Sequence, residues 1–124
     1  MFNRAKDLKK RKSEQVVVNG KAWDTQSIKD LLGCNDVAVN RAIILLYSFQ
    51  TEEEKYIGST NTVNGKGFNK FDVKILSDFA RQLQRGQALA SSQMYVARAK
   101  IKKYAKQILK YMKNREENKN NLAH

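Results

Sequence analysis

The chain has 124 residues, 24 Lys/Arg against 12 Asp/Glu, 41% hydrophobic residues, no Pro and one Cys. These numbers fit one domain with one core. They exclude an internal disulfide, and no apolar run nears the ~20 residues of a membrane-spanning helix.

The net charge of +12 is uneven. Residues 1–12 hold six Lys/Arg and one Asp, residues 98–115 hold eight Lys/Arg and no acid, and residues 13–97 hold nine of each sign. Two basic blocks towards the chain ends point to a polyanion partner. No apolar signal region follows the basic N-terminus, so a cytoplasmic location is expected.

In chain order, residues 1–14 read as a basic flexible tail carrying Lys9, Lys10, Arg11 and Lys12. Val16-Val17-Val18 is β-branched and is followed by Asn19-Gly20, which predicts a small β-hairpin near 16–23. Asp24 is a candidate N-cap and Gly33 a candidate C′ residue, giving a helix over 25–32. Asn35 or Asp36 then caps a helix over 36–50. Its interior AIILLYSF (42–49) is apolar nearly all round and should be the central, buried element.

Thr51-Glu52-Glu53-Glu54 reads as a capping box opening a brief helical turn, and 58–67 has the composition of a loop. Asn69 is expected to cap a helix over 70–84. Asp72 sits at its N3 position, Phe68 and Val73 form a hydrophobic staple, and Gly86 terminates it. Ser91 is expected to cap a last helix reaching about Lys113, with 114–124 as a second flexible tail. The fold class read from this is mainly α: a compact bundle of about four helices with one small β-hairpin, in a single domain over 15–113.

The tetrapeptide VNGK occurs at 18–21 and again at 63–66. At the same offset Trp23 matches Phe68, Asp24 matches Asn69 and Ile28 matches Val73. Both copies therefore spell a turn, an aromatic, a cap and an apolar stripe. NGKGFN (64–69) lacks the spacing of a P-loop or a dinucleotide fingerprint, which argues against a nucleotide site. Lys66 and Lys70 beside it remain candidates for contact with a nucleic-acid phosphate.

On a helical wheel of 91–113, Met94, Ala97, Ile101, Tyr104, Ala105, Ile108, Leu109 and Met112 fall on one side. Lys100, Lys102, Lys103, Lys106, Lys110 and Lys113 fall on the other, with Arg98 near the seam and Tyr95 among the lysines. Lysines act as point charges on phosphate and read bases poorly, so binding with little sequence preference is expected. The candidate binding residues are thus Arg98, Lys102, Lys103, Lys106, Lys110 and Lys113, Tyr95 as a stacking residue, Lys66 and Lys70, and the tail cations. The apolar face is needed by the core, so a membrane surface is not the expected partner.

The residues suggest no catalytic role. The one His is His124, Cys34 has no base in view, and Glu52, Glu53 and Glu54 suit the positive end of a helix better than a metal. No cofactor and no metal are expected, and the chain reads as something other than an enzyme.

The segment 67–108 resembles small bacteriophage and prophage proteins of poorly defined function. The matching positions are Gly67, Phe68, Asn69, Phe71, Asp72, Leu83, Leu89, Gln93, Ala97, Arg98, Lys103, Tyr104, Gln107 and Ile108. A similar segment is found attached to phage helicases of the Swi/Snf type. The chain departs from that pattern at Ala90-Ser91, where Thr or Ser followed by Pro is usual. The resemblance implies work on DNA in a bacterial host cell. It favours DNA over RNA as the partner, with a helicase or polymerase as a possible protein partner. The function expected is nucleic-acid binding by a phage accessory protein of replication, recombination or repair. The alternative is a phage inhibitor of a host defence or nucleoprotein machine, anti-CRISPR-like, gripping a CRISPR effector protein or its guide RNA.

Overall fold

A computed structural model of the chain describes residues 15–50 and 67–122. Strands β1 (Val16–Val18) and β2 (Lys21–Trp23) pair antiparallel, with Val16 opposite Trp23. Asn19 (φ 52°) and Gly20 (φ 82°) form the two-residue connection, both left-handed as a type I′ turn requires. Helices α1 (Thr25–Cys34), α2 (Asp36–Ser48) and α3 (Val73–Gln84) follow. A final helical stretch is built from α4 (Ser91–Ile101), a tight 3-10 turn (Lys102–Tyr104) and α5 (Ala105–Leu122). The fold is mainly α with one small hairpin, as the sequence predicts.

Local chemistry sets most element ends. Asp24 caps α1: its carboxylate accepts the Ser27 N–H at 2.8 Å, and the Ser27 hydroxyl takes the Asp24 N–H in return. Asn35 serves two helices. Its N–H closes α1 on the Leu31 carbonyl, and its side chain accepts the Ala38 N–H to open α2. Gly86 (φ 85°) ends α3 in a Schellman motif, with the Gly86 N–H on Leu83 and the Gln87 N–H on Gln82.

The core is one cluster with α2 at its centre. Val39, Ile43 and Leu46 are fully buried there, against Leu76 and Ala80 of α3 and Ala97 and Ile101 of α4. Helix α1 lies along α5, and β1 also packs on α5. Burial of AIILLYSF is not complete: Ile44, Leu45 and Phe49 are half-buried and Ser48 is exposed, because one flank of α2 carries no covering element among the described residues.

Four boundaries differ from those expected. Gly33 is inside α1, not past its end, because Asn35 takes over the cap; the Lys102 side chain lies beside it. A Cβ at Gly33 would lie 3.3 Å from the Lys102 Nζ. The turn opened by Asn69 leads into α3 only at Val73. Ser91 is the first helical residue rather than the cap; the Gln93 side chain instead reaches back to the Ala90 N–H at 2.8 Å. The last helix is broken by the 3-10 turn and continues through 114–122, past the end expected near Lys113. No Pro or Gly marks the break; it coincides with Tyr104, whose hydroxyl is tied to another element. The tail 1–14, the Thr51–Glu54 turn, the 58–66 stretch and the second VNGK lie outside the described residues.

Candidate nucleic-acid interface

The candidate face is built on α4, the 3-10 turn and α5, whose inner side supplies Met94, Ala97, Ile101, Tyr104, Ala105 and Leu109 to the core. Docking of these residues turns the intervening lysines outward. Lys102, Lys106 and Lys110 are exposed, and no carboxylate of the described residues pairs with them. Lys106, Lys110 and Lys113 flank a groove of about 470 Å³ that Thr25, Leu109, Asn114 and Glu117 also line. Tyr95 is 77% exposed on the first turns of α4.

Other cations on the same helices are engaged internally. Arg98 is paired with Asp36 at the start of α2. Lys103 reaches Asp72 at 2.9 Å and Lys100 reaches it at 3.4 Å. Lys70 is exposed, with its Nζ 5.4 Å from the centre of the Phe71 ring. Lys66, Lys9, Lys10, Arg11 and Lys12 lie outside the described residues. The expected set therefore divides: Lys102, Lys106, Lys110 and Lys113 share one exposed ridge, while Arg98 and Lys103 stabilise the fold at its edges.

Asp72 is the residue that sequence reasoning placed wrongly. It makes no capping bond to α3. Its side chain is 1% exposed, and it accepts from the Tyr104 hydroxyl at 2.6 Å as well as from the two lysines. Burial alone would raise the Asp72 pKa, but the Tyr104 hydroxyl and the Lys103 and Lys100 ammonium groups outweigh it and hold the carboxyl below its ordinary value. Tyr104 is shifted up, first by burial and then by the carboxylate it donates to, so its proton stays in place.

The backbone leading to Asp72 is clamped from both sides. The Gln107 side chain accepts the Gly67 N–H at 2.8 Å and donates to the Gly67 carbonyl at 3.0 Å. Gln50 accepts the Phe68 N–H at 2.5 Å, and the Tyr104 hydroxyl accepts the Asn69 N–H at 3.0 Å. Asn69 accepts from the Phe71 and Asp72 amides. Gly67 has φ 82°, and a Cβ there would collide with the Gln50 side-chain amide. Gly67, Phe68, Asn69, Asp72, Lys103, Tyr104 and Gln107, all positions of the resemblance noted in the sequence, thus meet in one cluster.

What the sequence missed is this cluster and the 78% exposure of Phe71. The spacing of Asp72, Tyr104 and Gln107 gives no local signal of contact. Among the described residues no group of His, Cys, Asp or Glu could hold a metal ion, and no helix is long and apolar enough to cross a membrane. Comparison with protein-family models, with curated proteins and with solved structures returns no match.

Proposed function

We propose that the chain binds nucleic acid through the phosphate backbone, as an accessory protein of phage replication, recombination or repair. The observation that carries this reading is the exposed ridge of Lys102, Lys106 and Lys110, which have no acid partner among the described residues while neighbouring cations are paired. Surface lysines without partners cost little in isolation, but three on one face repel each other and attract polyanions. Ammonium groups on flexible stems suit phosphate and carry no base information. The likeness of 67–108 to segments attached to helicases supports DNA as the polymer.

Replacing Lys102, Lys106 and Lys110 together by Glu tests this. Circular dichroism and the melting temperature should stay near wild type, because none of the three faces the core. Fluorescence anisotropy with labelled duplex and single strand should show a sharp loss of affinity, similar for unrelated sequences. Absence of wild-type binding to DNA or RNA at low salt would remove the reading.

A second reading, an inhibitor of a host nucleoprotein machine that works by protein contact, draws on one observation. Trp23, Leu31, Val37, Ala38, Ile108, Tyr111 and Met112 line an apolar groove of about 370 Å³ between α1, α2 and α5, and Val37 is 57% exposed at its rim. Under that reading the charge reversal leaves inhibition intact, whereas Val37→Asp abolishes it.

A further inference from the structure

Phe71 occupies an unusual position. It is 78% exposed, yet it sits on a turn held by side chains from other elements. The amides of residues 67, 68, 69, 71 and 72 all donate to side chains, those of Gln107, Gln50, Tyr104 and Asn69. A turn held this way has little freedom to fold the ring inward, so exposure is a fixed feature of the site. Single exposed apolar residues are ordinary on protein surfaces; what distinguishes this one is its setting.

Two cations flank the ring: Lys70 lies over it and Lys74 is exposed one helical turn on. The neighbouring Asp72 is buried and already paired with Lys103 and Lys100. An aromatic face bordered by cations is the arrangement that single-stranded nucleic acid uses. Bases stack on the ring, phosphates meet the ammonium groups, and sequence matters little because every base has a π-face.

Resting on the nucleic-acid reading above, we infer that Phe71 is a base-stacking platform and that the preferred ligand is an unpaired strand rather than a closed duplex. In a closed duplex the bases are stacked on each other and leave the ring nothing to meet.

The test uses the full chain, a fluorescent oligodeoxythymidylate and a mixed-sequence duplex, with Phe71→Ala, Phe71→Leu and Phe71→Trp. Melting temperatures should match wild type, since the ring is outside the core. Phe71→Ala and Phe71→Leu should weaken oligonucleotide binding by about five- to a hundredfold, with duplex binding unchanged. Phe71→Trp should bind like wild type and show quenched indole emission on saturation. Stacking releases no counterions, so Phe71→Ala should leave the slope of log affinity against log salt unchanged, whereas each ridge lysine replaced by Ala should make it shallower. If Phe71→Ala binds the oligonucleotide like wild type while the ridge reversal does not, the stacking role is wrong and the ridge reading stands. If wild type binds neither probe, both fall together.

Discussion

A buried carboxylate is costly unless its partners are good, and Asp72 has three: a neutral hydroxyl and two ammonium groups. Because the Asp72 pKa is depressed on folding, the interaction contributes stability above the ordinary value of 3.8 and loses it as pH falls through the lower folded value. Asp72→Asn keeps an acceptor for Tyr104 but gives up both ion pairs. It should lower stability at neutral pH by about 1–3 kcal/mol. In melts taken from about pH 5 downward the gap to wild type should close. A gap that persists unchanged into strong acid would show that the charge of Asp72 is immaterial. The glycines offer a second contrast. Gly86 and Gly67 both have positive φ, but space around Gly86 is open while Gln50 fills the space beside Gly67. Gly86→Ala should cost about 1 kcal/mol. Gly67→Ala should cost clearly more in denaturant titration, because the Gln50–Phe68 bond must also yield. Asp72 and Gly67 were both illegible in the sequence for the same reason. Their partners at 50, 100, 103, 104 and 107 lie far along the chain, and no local rule brings them together.

At the scale of elements, what was legible is what adjacent residues decide. Asp24 accepting the Ser27 amide and Asn69 accepting the Asp72 amide are the same three-residue step after an aromatic, but Asp24 caps its helix whereas Asn69 opens a turn ahead of α3. Asn35 and Gly86 likewise do what their types favour. Gly33 shows the limit. A glycine near a helix end reads as a C′ residue, but Gly33 stays helical because Asn35 two residues on closes the helix. At the 3-10 turn, tertiary ties and not Pro or Gly mark the break. The central position of α2 was legible from its run of apolar residues, and it carries the strongest stability prediction. Leu46 is fully buried, so Leu46→Asp should destabilise the domain by several kcal/mol. An unchanged thermal melt would contradict the packing described.

For the whole molecule, the ridge is shorter than the basic block in the sequence. From Lys102 to Lys113 the axis advances about 17 Å, or about five base-pair steps, half of what an evenly basic helix over 91–113 would offer. With Lys102, Lys106 and Lys110 each neutralising one duplex phosphate, log affinity should fall against log salt with a slope of about −3. A slope near −8 would mean that the paired cations and the N-terminal block take part as well.

The clamp on Gly67 and Phe68 has one more consequence, for how this chain can be altered. An insert after Asn69 would part the backbone held by Gln107, Gln50 and Tyr104 from the turn that Asn69 itself holds. The hairpin tip at Asn19-Gly20 is exposed and open on all sides, the kind of place where inserts are tolerated. A short reporter peptide placed after Asn69 should therefore lower the melting temperature clearly more than the same peptide placed between Asn19 and Gly20.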